Sequence, residues 1–364
     1  MASNLKYRYV ALTPEHTTVT GARTYGIASA VARARIGGEA DSESIQYQFD
    51  LLTRADMSHY GAQKSVNGKE YSSGSLDLVM QPDDFLGLCI YGIYGDNLGD
   101  QAADPAVPPN SDGYVQALKV HTFKEASDQV LPSFTLEVGR EEKEHTYTGM
   151  CVESLSFSAS HGEYATISAS LTGKSESALA VLANPTLGGD TVDGFHFAEG
   201  IVSFSTAGTQ EVVNTRIQSI SLDFNMNLDT DAACSIGSRT YLRQPLPQMR
   251  EITGTVEFST AHDTGAADDP AYDTALATGG AIFDGDGTFP ALKLKFVSGT
   301  SSLEIQVQKL RWEAPTSNVS GRDTETLSMS FVGLLDQSTG TMSKMILTNT
   351  GNTGAVSAIR YSAL

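Results

Sequence analysis

Stretches of strict period-two alternation run through this chain. They restrict it to a fold built from strands with one dry and one wet face. Ser44 to Leu52 reads SIQYQFDLL, with Ile45, Tyr47, Phe49 and Leu51 on one side and Ser44, Gln46, Gln48 and Asp50 on the other. Ser219 to Leu228 sets Ile220, Leu222, Phe224, Met226 and Leu228 against Ser219, Ser221, Asp223, Asn225 and Asn227. Both are expected as half-buried strands. Further strands are expected at 75–80, 134–138, 145–159, 165–172, 201–205, 255–259, 292–297, 303–312 and 324–331. Helical signals are confined to Pro82–Tyr91 and Asp269–Thr278. Each opens on Pro or acidic residues suited to a helix N-terminus.

The order of these segments repeats. A strand (44–52), a long polar loop, GSLDLVM at Gly74, an acidic helix, PSFTLEV, YTGMCVESLSF and ATISASLTGK make the first series. A strand (219–228), a long loop, GTVEFST at Gly254, the DPAYDTAL helix, PALKLKF, LEIQVQKLRW and TETLSMSFVG make the second. Gly254 lies 180 positions after Gly74, whereas Pro290 follows Pro132 by 158 and Gly333 follows Gly173 by 160. An insertion of about twenty residues in the first half, around Asp96–Asp112, accounts for the difference. The expected plan is therefore all-β with minor α. An N-terminal arm (1–36) precedes a first β domain (37–175, with an insertion at about 92–130). A linker (176–194), a second β domain (195–335) and a C-terminal arm (336–364) follow.

Composition narrows the function. The chain of 364 residues carries 43 acidic and 24 basic residues, a formal net charge of -19, and no basic run. Phosphate contacts need clustered Lys and Arg, so sequence-specific nucleic-acid binding is disfavoured. Cys89, Cys151 and Cys234 are too few and too widely spaced for a disulfide framework or a zinc site and read as small buried hydrophobes. The N-terminal MASNLKYRYV has no apolar core of signal-peptide length, and no apolar run is long enough to span a membrane. None of the seven histidines forms HxxxH or HExxH, and neither GxSxG nor a Walker loop is present. Asp284-Gly285-Asp286-Gly287 lacks the closing ligands of a calcium loop and reads as a turn. Asp263, Asp268, Asp269 and Asp273 read as a solvated approach to a helix. The single Trp312 sits in an alternating strand and reads as packing rather than a sugar platform. No catalytic residue, metal site or cofactor is expected.

The segments FHFAEGIVSFSTAG, SISLDFNMNL, EITGTVEF, PALKLKF and EIQVQKLRW in the second half resemble the tail tube proteins of long-tailed, non-contractile (siphovirus-like) viruses. So does YTGMCVESLSFSASHGEYATISASLTGK in the first half. The variety resembled carries two fused tube domains, and the likeness covers roughly residues 35–335. The resemblance implies two tandem β-sandwich or barrel units, each with one flanking helix. It implies a non-enzymatic virion protein, made in the host cytoplasm and built into the tail. Three two-unit chains would close a pseudo-sixfold ring, and stacked rings would form a tube that conducts viral DNA. The implied partners are other copies of the chain and the tape measure, tail terminator and baseplate proteins, with no membrane. The expected lumen-facing residues are Gln46, Gln48, Asp50, Asp77, Asp223, Asn225, Asn227 and Glu257. The long loops 53–73 and 229–250 typically reach the next ring in such proteins, which points to Arg54, His59, Lys64, Asp231, Arg239 and Arg243. A tail-terminator or baseplate ring protein, a host-binding adhesin and a β-rich hydrolase are the competing readings. The last two would call for an aromatic-rich loop cluster or a catalytic constellation.

Overall fold

The computed structural model describes residues 9–15, 25–27, 36–38, 40–54, 60–62, 64–97, 101–102, 118–125, 131–140, 143–177, 180–181, 193–205, 212–213, 217–259, 282–284, 290–314, 316–318 and 326–350. The principal strands of the first half are β1 (Tyr9–Pro14), β2 (Ala40–Glu43), β3 (Gln46–Arg54), β4 (Lys64–Val79), β5 (Leu118–Glu125), β6 (Phe134–Arg140), β7 (Lys143–Ser160) and β8 (Thr166–Gly173). Helix α1 (Asp84–Tyr94) follows β4. The second half contributes β9 (Gly200–Phe204), β10 (Ile217–Asn225), β11 (Glu251–Ser259), β12 (Ile282–Asp284), β13 (Leu292–Ser298), β14 (Ser301–Val307) and β15 (Lys309–Trp312). It ends with β16 (Thr316–Asn318), β17 (Thr326–Leu334) and β18 (Ser343–Thr350). The fold is all-β with a minor helical part, as the alternation predicts.

One long antiparallel sheet runs the width of the molecule. β2 and β3 pair in succession with β4, β4 with β8, and β8 with β7. β7 then pairs with β10, β10 with β11, and β11 with β17. The far side of β17 is lined by β15 and β16. Along these strands the inward residues are buried: Leu76 and Leu78 on β4, Leu155 and Phe157 on β7, Leu222 and Phe224 on β10, Val256 and Phe258 on β11, Met329 and Phe331 on β17. Their neighbours point away from the core, and period-two side-chain placement is the cause. A second sheet, β9–β13–β14–β18–β5, covers the second half from the other side. β1 pairs with β6, and β6 pairs with the first part of β7.

β7 carries both the long sheet and the β6–β1 extension because its ladder is interrupted twice, between Tyr147 and Met150 and between Val152 and Ser154. Such irregularities bend a strand and increase its twist. Gly149 adopts φ 69° in the first of them. Its N–H is received by buried Glu15, whose carboxylate also accepts Gly26 N–H, Ser133 Oγ and Thr135 Oγ1 at 2.7–3.1 Å. One side chain therefore ties the end of β1, the start of β6 and the bend of β7. Burial pushes its carboxyl above the usual range although all four donors oppose the shift.

Helix α1 is capped at both ends. Asp83 accepts Leu86 N–H at 2.8 Å, and Gly95 closes the C-terminus at φ 74°. Residues Phe85–Tyr94 are buried. Tyr94 Oη meets Ser343 Oγ of β18 at 2.7 Å, and Asn349 of β18 reaches Asp84 at 3.1 Å. The second expected helix, Asp269–Thr278, lies outside the described residues.

The structure differs from the expectation of two polar arms. Residues 9–14 form β1, buried along its whole length, and 343–350 form β18, paired on both sides. The expected insertion supplies β5, whose partner is β18. The start of the expected linker is held by Ser175–Glu176 and Ala180–Val181, both paired with β7. Trp312 is buried against Phe204, Phe283 and Phe331, with ring centroids 5.3–5.9 Å away. That placement makes it core.

Two glycines sit where the next strand leaves no room for a side chain. A Cβ at Gly254 would lie 2.7 Å from Ser221 O and 2.4 Å from the Phe331 ring. One at Gly74 would lie 2.6 Å from Ser44 O. Gly254→Ala is expected to cost about 1–3 kcal/mol through forced backbone displacement, read as a lower urea midpoint with unchanged slope. An unshifted midpoint would contradict the close approach.

Candidate functional site

The outward face of the long sheet is made almost entirely of small hydroxyls. Ser154, Ser156, Ser158 and Ser160 of β7 stand beside Ser168 and Ser170 of β8 and opposite Ser219, Ser221, Asp223 and Asn225 of β10. Thr253, Thr255 and Glu257 of β11 and Ser328 and Ser330 of β17 extend the rows. Segments 72–79, 153–160, 166–173, 217–225, 251–259 and 326–334 contain no Lys, Arg or His and five acids: Asp77, Glu153, Asp223, Glu251 and Glu257. Over these segments the face is neutral to negative and offers phosphate no cationic partner; a cation enters at its edge, where exposed Arg311 of β15 stands opposite Val332.

Its acids are oriented by neighbouring hydroxyls. Asp77 accepts Ser42 Oγ at 2.5 Å and Ser168 Oγ at 2.6 Å, so its carboxylate spans three strands. Those two bonds hold its carboxyl below the usual range. Glu257 accepts Ser219 Oγ at 2.8 Å in the corresponding place on β11. Asp223 faces Ser156 and Thr253 across its two ladders.

Of the lumen-facing candidates, Asp77, Asp223 and Glu257 are exposed on this face, and Asn225 is half-buried at its rim. Asn227 lies past the end of β10. It adopts φ 46°, takes its N–H to Asn225 Oδ1 and donates its side-chain amide to Met249 O, so it closes a turn. Gln46, Gln48 and Asp50 are exposed on β3, away from the covered part of the sheet. The expected half-buried strand 44–52 is corrected here. Ile45 is buried, but β3 and the start of β4 project as a strand pair, and among the described residues no layer lies behind it. Its apolar residues are open to solvent: Phe49 is 51% exposed, Leu51 59%, Leu52 62% and Val66 54%. Much of the expected loop 53–73 is therefore strand.

The loop candidates separate into two groups. Arg54 and Lys64 pair with each other near the tip of the hairpin. His59 lies outside the described residues. Loop 229–250 folds back over the first half of the same chain. There Asp231 meets Lys69 Nζ at 3.2 Å, and Arg239 reaches Glu70 at 3.7 Å while its carbonyl receives Glu70 N–H at 2.8 Å. Arg243 is exposed on the same loop. Tyr241, which sequence reasoning missed, stacks on Tyr71 with centroids 6.3 Å apart, and Lys69 Nζ lies 5.2 Å from its ring. No local pattern marks a contact between residues so far apart in the chain.

Among the described residues no group of three His, Cys, Asp or Glu could hold a metal ion. Asp284, the one described member of the DGDG turn, is paired with Lys309 at 2.7 Å. Cys89 and Cys151 are buried, and burial raises both thiols well above their ordinary range. No described helix is long and apolar enough to cross a membrane.

A family model described as phage tail tube protein matches residues 9–333. No match is found among the curated proteins.

The Asp77 bridge generates a pH expectation. A carboxyl held below its ordinary value of 3.8 stabilises the fold above that pH. The contribution is lost as pH falls through the lower folded value. Carboxyl NMR titration should place Asp77 below 3.8 in the native chain, and Ser42→Ala with Ser168→Ala should move it upward. A titration unchanged in the double variant would show that the hydroxyls are not its cause.

Proposed function

The chain belongs to the phage tail tube protein family, and we propose that it assembles into closed rings whose inner wall is the hydroxyl face of the long sheet. Membership makes it a structural component of a phage tail that assembles with itself and other tail proteins. The finer reading is a trimer of two-unit chains with pseudo-sixfold order, stacked into a tube that conducts viral DNA. The tape measure, terminator and baseplate proteins are its neighbours in the tail.

The observation that carries this reading is the junction between β7 and β10. Ser154–Ser160 pairs with Asn225–Ser219 residue by residue, and it joins a four-strand run ending in β7 to another beginning with β10. The runs are ordered alike: β2/β3–β4–β8–β7 and β10–β11–β17–β15/β16. Gly74 and Gly254 both abut the backbone of the preceding strand, at Ser44 and Ser221. These likenesses support two tandem units over about 37–175 and 195–335, with β1 and β18 drawn in from the expected arms. Among the described residues the sheet then has two edges, β2/β3 at one side and β16 at the other, where β12 pairs outside β15. Edge-to-edge closure between copies removes both from solvent. Asp77, Asp223 and Glu257 would line the wall in every subunit.

Negative-stain electron microscopy of the purified chain is expected to show rings or hollow tubes. Strictly monomeric particles across protein and salt concentration would sink the reading. In assembled particles, Asp223→Lys with Glu257→Lys is expected to leave tubes intact and cut DNA delivery at least tenfold, since cations on the wall would hold phosphate. Undiminished delivery would remove these residues from the wall.

A further inference from the structure

We propose that the projecting strand pair 46–54 and 64–71 docks sideways, onto Met249–Glu251 of the adjacent copy in the same ring, and so seals the lateral seam between chains. This rests on the ring reading and differs from the expectation that the loop reaches the next ring.

The molecule contains its own template for the contact. Aligning Gly74 with Gly254 places Asp77 on Glu257, and the ladder partners of these acids, Ser42 and Ser219, make the same hydroxyl-to-carboxylate bond, at 2.5 and 2.8 Å. The same alignment places Lys69–Tyr71 on Met249–Glu251. Within the chain, the loop that leaves β10 crosses the ends of β7 and β8 and settles on Lys69–Tyr71. It is fixed there by the Asp231–Lys69 ion pair, the Arg239 carbonyl and the Tyr241–Tyr71 stack. The hairpin that leaves β2 holds the matching place in the first half. When β2 meets β16 of a neighbouring copy as β10 meets β7, the hairpin faces that copy's second half.

The two surfaces match in chemistry. The hairpin carries Leu52 and its ladder partner Val66 exposed on one face, opposite to that of exposed Leu51, and the receiving segment carries Met249, 78% exposed, with Leu246 at 58%. An exposed apolar strand pair and an exposed apolar rim, neither covered by the described residues, cover one another in a copy-to-copy contact. The interface is heterologous and closes only as a ring.

Photo-crosslinking from p-benzoylphenylalanine at position 52 in assembled tubes tests the contact, with position 66 as a second site if the first variant does not assemble. Crosslinks should map to 246–251, and the denaturing-gel ladder should stop at the number of chains in one ring. A ladder running past that number would mean that the hairpin bridges rings, and crosslinks to another segment would place it elsewhere; either overturns the proposal while leaving the tube reading intact. Failure of the unsubstituted chain to form rings overturns the tube reading itself, and the docking with it. As an independent check, Leu52→Asp should leave the Tm of the isolated chain unchanged, because the side chain is exposed there, and should lower the yield of closed rings at least tenfold. Undiminished ring yield would overturn the proposal.

Discussion

The rest of the structure depends on the register between β7 and β10. Because side chains alternate with period two, that pairing decides which residues share the wet face across the whole sheet. It sets Ser156 opposite Asp223 and Leu155 opposite Phe224. A slip of one residue would bring Leu155 and Phe157 out among the hydroxyls and drive serines into the core. The core resists this from below, where Phe157 meets Phe224 edge-on with centroids 5.8 Å apart. An aromatic pair of this geometry adds about 0.5–1.5 kcal/mol beyond its burial. The main-chain ladder and the aromatic interlock therefore specify the same register.

Other ties hold the two halves together away from that ladder. β5, from the inserted segment of the first half, pairs with β18 near the C-terminus, which in turn pairs with β14 of the second half. Beneath them Glu125 lies 3.9 Å from Arg250, and burial pushes its carboxyl upward against that cation. A buried ion pair of this kind adds little net stability, but losing one partner leaves an uncompensated charge. The apolar residues of both halves form one continuous core, so the halves share an interior as well as a sheet.

The strands facing a covered core were legible in the sequence because one wet and one dry face leaves a plain alternation. β10 and β11 are examples. β1 was missed because YVALTP is buried on both faces and so does not alternate. β18 was missed because half-buried Ile346 stands between buried Met345 and Leu347 and blurs the pattern. Alternation in β3 was read correctly as a strand and wrongly as half-buried. A local pattern shows that a face is apolar, not that another layer lies against it. The acids of the hydroxyl face were legible from position alone. The Tyr71–Tyr241 stack and the fold-back of loop 229–250 were not, because they depend on how distant parts of the chain meet.

The projecting hairpin also has a consequence for the lone subunit. A free chain presents its exposed apolar residues to every other copy, and apolar contact at short range does not discriminate between correct and incorrect partners. The net charge of -19 opposes it at longer range, over a screening length of about 10 Å at 0.1 M salt. Isolated copies are thus colloidally stabilised by charge although they carry a surface that favours aggregation. Ionic strength then governs how often two copies come close enough to nucleate, while the geometry of the edges governs what they build once they do.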